Sequence, residues 1–475
     1  MLFFQLDFFL LFLIPLVASV AVLKAFGVRS FLAWVASAAS LTFLFVDSAT
    51  SGLIAVLSIC INYFAARYLL SHRTSKIFAA AVTANLAMLA YFKYSGWFAE
   101  SSSWAWHMLL PLGISFYTFQ QIAFLADVYR GKVSSFSFRT YILFKLFFPQ
   151  FIAGPITHFE RVRASYERWP TFNARSIRYG LTIFSIGMAK KLAGDYFGGI
   201  ANPIFANQAA LDVYTAWLGM LAFTFQIYFD FSGYSDMAVG LARLFGVSLP
   251  FNFNSPYKAR SISDFWRRWH MTLSRWLRDY LYVPLGGNRH GAPRTIAALM
   301  ITMTLGGLWH GANWTFVAWG MAHGLALVAT RYVTLPDWSA LKRVSTFLSV
   351  TLAWILFRSE TFTGALQHYL SLVPGQANLG LGIELLRIVN LLLPFTPGEG
   401  GFNKPNQLIE LTAIVAAFTV CLTAPNSQQI ALWFVARRIY SLALADIPVL
   451  IFIVAMLAFA MITPDTRNAF IYFQF

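Results

Sequence analysis

The sequence predicts an all-α fold, a polytopic transmembrane helical bundle, and three observations carry that prediction. Of its 475 residues 58% are hydrophobic and only 11% charged, against roughly 25% charged in an ordinary soluble domain. Apolar runs recur from one end to the other at about the 20-residue length that a helix needs to cross a hydrocarbon core. The basic residues behind the net charge of +16 fall in short connections between those runs, which is the pattern of cytoplasmic loops. Membrane lipid, rather than nucleic acid, is the partner this charge implies.

Taken in chain order, candidate spans lie near residues 7–24, 30–46, 52–70, 77–92, 106–126, 139–154, 178–193, 212–245, 295–330, 345–357, 408–423 and 446–463. Several are too short or broken to cross alone, which leaves roughly ten or eleven crossings. The opening MLFFQLDFFLLFLIPL has no basic flank and no clean cleavage site, so it reads as a retained first helix rather than a signal peptide. Basic stretches at 72–76, 130–132, 161–178 and 258–294 mark cytoplasmic loops. Cys60 and Cys421 alone indicate neither a disulfide framework nor a zinc site, and no metal is implied. No linker or repeat divides the chain, so residues 1–475 read as one membrane domain, with a tail at 464–475 that ends FIYFQF.

Between Arg294 and Arg331 lie 36 residues without Asp, Glu, Lys or Arg, yet they contain His310, Asn313 and His323. Ionisable groups at such depth are costly and are functional candidates by default. As one straight helix the run would extend about 54 Å, far more than a bilayer needs. Gly306, Gly307 and Gly311 are the natural places for a break or re-entry. His310 is then expected near the start of the second piece, with Asn313 one turn on and on the same face. His323 would stand some 20 Å further along and serve packing or a tunnel mouth.

Just upstream, FWRRWHMTLSRWLRDYLYVPLGGNRHG (265–291) sets a second buried-looking histidine, His270, among arginines and tryptophans. The same residues also read as an interfacial anchor. Two histidines on adjoining segments suggest an acid/base site within the membrane. FDFSGYSDMAVGLARLFGVSLPFNFNSP (229–256) puts Asp230, Ser232, Ser235 and Asp236 into an apolar segment. These line a polar funnel or pair with Arg243, Arg267 or Arg268 to hold helices together. His158 reads as interfacial, and His72, His107, His290 and His368 as residues in polar surroundings.

Two buried histidines suit acid/base chemistry, and the family resemblance carried by these blocks implies that the reaction is acyl transfer from a thioester to a hydroxyl. A base must take the hydroxyl proton, imidazole titrates near operating pH, and an apolar wall favours its neutral form. His310 is that base. His270 or Asn313 would orient the ring or donate to the developing oxyanion. From 258 to 294 eight Lys or Arg stand against Asp264 and Asp279. Arginine forks suit phosphate, so Arg267, Arg268, Arg275 and Arg278 are candidates to bind a phosphate-bearing donor, which the family resemblance implies is a thioester, acetyl-CoA or an acyl carrier protein. Positive-inside topology explains part of the same charge.

These blocks, with LGGLWHGANWTFVAWG, LPLGISFYTFQ (110–120) and FFPQFIAGPI (147–156), resemble the membrane-bound O-acyltransferases. Within that family they are most similar to the AlgI-like branch, which O-acetylates alginate and other extracellular polysaccharides. The resemblance implies a bowl of tilted, broken and re-entrant helices around a central tunnel, with His310 catalytic and His270 close by. It also marks Trp309 beside His310, and Asp195 in GMAKKLAGDYF at a helix end, as supporting positions; for Asp195 a structural salt bridge is the first expectation.

The FIYFQF ending resembles the C-terminal motif of this branch and of small partners in teichoic-acid D-alanylation, which makes Tyr472 a candidate acyl relay. A phenol, with a pKa of about 10, leaves far more readily than an alkyl alcohol and only modestly less readily than a thiol of about 8.5. The expectation is a multi-pass enzyme of the bacterial inner membrane. It would take acetyl from a cytoplasmic thioester, hold no cofactor tightly, and hand acetyl to an extracytoplasmic SGNH or esterase-like acetyltransferase that modifies the polysaccharide. The alternatives are D-alanyl transfer to teichoic acid, a transporter, or a scaffold for an export complex; the last two should survive loss of His310.

Overall fold

The computed structural model describes residues 3, 7–98, 110–151, 153–169, 173–208, 211–333, 336, 338–374 and 404–436, and among them every regular element is helical. A π-helical turn, Phe8–Leu13, runs into α1 (Ile14–Ala25). Then come α2 (Arg29–Asp47), α3 (Ala49–His72), α4 (Ser75–Phe98), α5 (Ile114–Tyr129), α6 (Phe138–Leu146), α7 (Phe148–Phe151) and α8 (Phe159–Glu167). The long pair α9 (Ala174–Ala206) and α10 (Val213–Leu244) follows. Short α11 (Ile262–Trp266) and α12 (Met271–Leu277), α13 (Gly291–His310), α14 (Trp314–Tyr332), α15 (Ser339–Arg358) and α16 (Phe362–Ser371) succeed it, and the described chain closes with helices Lys404–Thr423 and Ser427–Ala436.

The helices are built for lipid. In α3 the exposed positions include Leu53, Leu57, Ile61 and Phe64, while Ser51, Ser58 and Asn62 are among the buried ones. That inverts the pattern of a water-facing helix, as expected where the solvent is hydrocarbon and small or polar residues mediate helix contact. Asn62 and Asn85 exchange amide hydrogen bonds of 3.1 and 2.8 Å between α3 and α4, so both side chains are satisfied away from lipid.

The most extensive contact joins α9 to α10 through glycines seven apart. A Cβ on Gly180, Gly187 or Gly194 would meet, each at 2.7 Å, the backbone of Gly240, Gly233 or Asp230. Glycine is therefore required for this backbone approach. Asp230 and Asp236 pair with lysines rather than the arginines expected: Lys191 Nζ lies 2.9 Å from Asp230 and Lys190 Nζ 2.7 Å from Asp236. Contrary to the expectation of irregular polar backbone, 229–244 is continuous helix, and its carboxylates are neutralised within the α9/α10 seam.

Among the described residues three helices are long and apolar enough to cross a bilayer unaided: Ala49–His72, Ser75–Ser95 and Ser339–Arg358. Gln407–Thr423 with Ser427–Phe434, bent by 66°, forms a fourth if that pair is one span. Other apolar runs fall short of that criterion of length and composition, as Phe8–Val20 and Phe31–Val46 do by being shorter. The candidate span at 446–463 lies outside the described residues.

Basic connections gather together, as cytoplasmic loops should. Arg73 lies against Gly131, where a Cβ would meet its guanidinium at 2.7 Å. Arg130 donates to the Asp279 carbonyl at 3.3 Å, and Arg161 is close enough to Arg275 to disfavour its charge.

Candidate active site

The 36-residue apolar run is broken at residues 311–313, between α13 and α14. Gly306 and Gly307 do not break it; both remain inside α13. Gly307 instead lets the two helices touch, since a Cβ on it would run into the Phe316 carbonyl and one on Gly320 into the Met303 carbonyl. Gly311 is extended, with φ −175°, and the Phe316 ring lies 2.5 Å from where its Cβ would be.

His310 is thus the last residue of α13, not an early residue of the second piece. Asn313 is the N-cap of α14: its Oδ1 accepts from the Thr315 N–H at 3.0 Å, and its Nδ2 donates to the Glu360 carbonyl at 2.7 Å. It supports His310 by fixing the break, not by standing one turn along a shared face.

The end of α13 is held from α4. A helix terminus leaves its last carbonyls without intrahelical partners. The Tyr94 hydroxyl donates to the Leu308 carbonyl at 2.7 Å, and the Lys93 ammonium donates to the Trp309 carbonyl and, at 3.3 Å, to Ser115 Oγ. A cation at a helix C-terminus also meets the negative end of the helix dipole. The buried His310 ring is walled by Trp309, Phe357 and Trp319 at centroid distances of 4.9, 5.0 and 5.2 Å.

His270 approaches from the other side, its ring 6.3 Å from the Trp309 ring and 4.7 Å from Phe231. Trp309 therefore contacts both imidazole rings. The His270 backbone is left-handed, φ 40° and ψ 52°, a conformation that costs a non-glycine residue about 1–3 kcal/mol and persists only where neighbours enforce it. Asn252 does so. Its carbonyl accepts from the Met271 N–H at 2.8 Å, its Oδ1 accepts from the Thr272 hydroxyl at 2.6 Å, and its Nδ2 donates to Ser235 on α10 at 3.2 Å.

His323 is one aromatic ring from His310 rather than remote. Because α14 folds back, Trp319 contacts both, at 5.2 Å to His310 and 4.8 Å to His323. Trp266 Nε1 donates to His323 Nδ1 at 3.3 Å.

A pocket of about 340 Å³ lies between these helices, lined by Arg267, Arg275 and Arg278, by Met271, Ser274 and Leu277 of α12, and by Leu299, Thr302 and Met303 of α13; none of the three histidines lines it. Its volume lies within the range of small-molecule sites, about 300–1,000 Å³. Partial burial, with Arg161 and Arg278 nearby, holds the Arg275 guanidinium below its ordinary value; an anion there would relieve that repulsion.

Three of the four expected arginines thus share one pocket. Arg268 is not among its lining residues; it donates to Asp264 at 3.0 Å and to the Asn254 carbonyl at 3.3 Å. Its place in the sequence as one of an arginine pair did not reveal that the turn after α11 ties it to Asp264. One wall continues into a π-helix, Arg278–Tyr282, a form that often marks functional segments. It is braced where the Tyr280 hydroxyl and Asp127 both meet His158 Nδ1, at 2.9 and 3.0 Å.

Asp195 lies inside α9, not at a helix end, and pairs with Lys191. His368 is fully buried and stacked on Phe205, and its polar surroundings are those of a packed interior: Nε2 lies 3.0 Å from the Ala216 carbonyl and Nδ1 3.4 Å from Gln208 Nε2. His158 caps α8 and pairs with Asp127. Tyr472, the tail at 464–475 and His107 lie outside the described residues. Sequence reasoning missed Lys93 and Asn252. The signal for Lys93 was present: an ammonium in AYFKYSGW, within an apolar helix.

Two buried imidazoles on helices that also wall an arginine-lined pocket are suited to general-base group transfer from an anionic carrier. The model of MBOAT, the membrane-bound O-acyltransferase family, matches residues 68–357, and the chain belongs to this family. It is 41% identical over 360 residues to a peptidoglycan O-acetyltransferase of Helicobacter pylori, covering 65% of this chain and 68% of that protein. It is 39% identical over 375 residues to a probable alginate O-acetylase AlgI of Pseudomonas aeruginosa, covering 73% and 72%. A teichoic acid D-alanyltransferase of Streptococcus thermophilus is 31% identical over 236 residues, covering 46% of this chain and 56% of that protein. The protein is a membrane-bound acyltransferase.

Proposed function

We propose that this acyltransferase takes acetyl from a cytoplasmic thioester, acetyl-CoA or an acylated carrier protein, and passes it outward for O-acetylation of a cell-envelope or secreted polysaccharide. The bacterial inner membrane is the location that fits this task. The observation that carries the reading is the shared pocket: Arg267, Arg275 and Arg278 line it, together with residues of the helices that bear His270 and His310. Guanidinium groups suit the phosphate that both donors carry, and the apolar inner wall suits a short acyl chain.

In the proposed reaction His310 takes the acceptor hydroxyl proton as that oxygen attacks the thioester carbonyl. The tetrahedral oxyanion collapses, the C–S bond breaks, and the proton passes to the departing thiolate, leaving an ester and a free thiol. His270, held in its turn by Asn252, orients the acceptor or donates to the oxyanion. Tyr472 is the proposed first acceptor: its aryl ester would retain much of the thioester's transfer potential for an extracytoplasmic esterase-like partner. The relatives named for peptidoglycan and alginate O-acetylation support acetyl as the group. D-alanyl transfer is the second reading, supported by the less similar teichoic-acid relative.

The test is incubation of the full chain in lipid with isotopically labelled acetyl donor, an acid quench, and the mass of the C-terminal peptide. Label on Tyr472 in wild type that vanishes in His310→Ala and Tyr472→Phe is the expected result. Polymer acetylation without tyrosyl label would remove the relay and leave direct transfer. Normal acetylation by folded His310→Ala would remove the histidine mechanism.

A further inference from the structure

We propose that the indole N–H groups of Trp309 and Trp319 are the oxyanion donors of the acyl transfer, two catalytic residues beyond the histidine pair. This rests on the reading of His310 as the base. Base and oxyanion donor serve two oxygens of one tetrahedral carbon, so the donors belong on groups that touch the base, and both indole rings touch His310, at 4.9 and 5.2 Å.

An indole nitrogen donates one hydrogen bond and accepts none, and when buried it usually finds an acceptor. Three tryptophans here do so. Trp276 donates to the Phe119 carbonyl at 2.9 Å, Trp217 to the Leu372 carbonyl at 3.0 Å and Trp266 to His323 Nδ1 at 3.3 Å. Trp309 and Trp319 are 4% and 1% exposed, and the N–H of neither has an acceptor among the described residues. Trp169 and Trp354 share that state, but Trp169 packs on Phe245, and Trp354 lies one ring further out, stacked on Trp319 at 5.6 Å. A buried donor left unsatisfied is costly, and two such donors beside one imidazole are suited to an acceptor that the reaction itself creates.

The two indoles come from opposite sides of the break at 311–313, and each is held in place. The Lys93 ammonium takes the Trp309 carbonyl and lies 5.6 Å from its ring centroid. Trp319 precedes Gly320, whose close approach to the Met303 carbonyl seats this turn of α14 on α13. Its ring meets His310 edge-on, at 89°, with Phe357 packed against it at 5.1 Å. Donors fixed before the charge forms need no reorganisation in the transition state. As the hydroxyl oxygen attacks, the carbonyl π pair moves onto the thioester oxygen, and the two N–H groups donate to it. When the C–S bond breaks the pair returns, and both indole protons stay on nitrogen. His270 is then left to orient the acceptor.

The experiment measures single-turnover thiol release by the full chain in lipid, from acetyl thioesters on coenzyme A and on acyl carrier protein, with donor affinity read on the same samples. Trp309→Phe and Trp319→Phe keep an aromatic ring and remove the N–H; each is expected to slow release by about 10²- to 10³-fold with donor affinity unchanged. Trp354→Phe makes the same change of size in the same aromatic box and is expected to release thiol at close to the wild-type rate. Placing β-(3-benzothienyl)alanine at position 319, which keeps the bicyclic shape with sulfur in place of N–H, should give the loss seen in Trp319→Phe. Wild-type release by either folded phenylalanine variant or by the isostere, or an equal loss in Trp354→Phe, would overturn the inference. His310→Ala separates it from the reading beneath. Fast release in His310→Ala with slow release in the indole variants removes the base and keeps the donors; the reverse pattern keeps the base and removes the donors.

Discussion

The α9/α10 pair and the α13/α14 pair use the same packing device for opposite ends. Both bring two backbones together through glycine, Gly180, Gly187 and Gly194 in one, Gly307 and Gly320 in the other. In the first pair the helices run unbroken, and the lysines and aspartates between them are paired, Lys191 with Asp195 and Asp230, Lys190 with Asp236. In the second the chain breaks at 311–313, and the helix end is capped from outside by Lys93 and Tyr94. The polar groups left at that break are imidazoles boxed by aromatic rings. Close glycine packing therefore does not distinguish scaffold from site. The distinction lies in whether the buried polar groups neutralise one another or are held at a broken helix end beside a pocket.

Substitutions sharpen that contrast, beginning with the largest effect. His310→Ala should lower acyl transfer by about 10²- to 10⁴-fold, the usual contribution of a general base, with thermal unfolding in detergent unchanged. Lys191→Met should act in the opposite sense. It strands Asp230 and Asp195, and breaking a buried pair costs about 3–5 kcal/mol, read as a fall in melting temperature beyond any loss per folded molecule. Gly187→Ala and Gly307→Ala should each cost about 1–3 kcal/mol by overpacking, but only Gly307→Ala should also lower kcat, because it shifts the helix that ends in His310. Lys93→Met leaves the Trp309 carbonyl short of a donor and should lower kcat about tenfold, equivalent to about 1.4 kcal/mol, with donor KM unchanged and partial rescue by Lys93→Arg. Asn313→Ala, the loss of one N-cap, should cost about 1 kcal/mol of stability.

Much of this arrangement was legible in the sequence because the membrane makes polar residues conspicuous. His270 and His310 stood out against apolar surroundings, and the arginines of FWRRWHMTLSRWLRD against a charge-poor chain. Three of those four arginines do line one pocket; Arg268, in the turn after α11, does not, because a run of like charges does not show which member turns back to Asp264. The break in the apolar run was expected at its glycines, yet glycine serves both breaks and close contacts, and Gly307 proved to be the second kind. Asp230 and Asp236 were matched to arginines nearer in sequence, whereas their lysines come from α9, some 40 residues earlier. Lys93 and Asn252 act on partners more than 200 and about 20 residues away, and no local pattern encodes such contacts.

The central claim, that the broken hairpin carries the chemistry and the straight seam the scaffold, is tested most directly by single-turnover thiol release from an acetyl thioester in lipid, with donor binding measured on the same samples. The account predicts that His310→Ala binds donor with wild-type affinity and releases thiol at least a hundredfold more slowly. Wild-type thiol release by folded, donor-bound His310→Ala would contradict it.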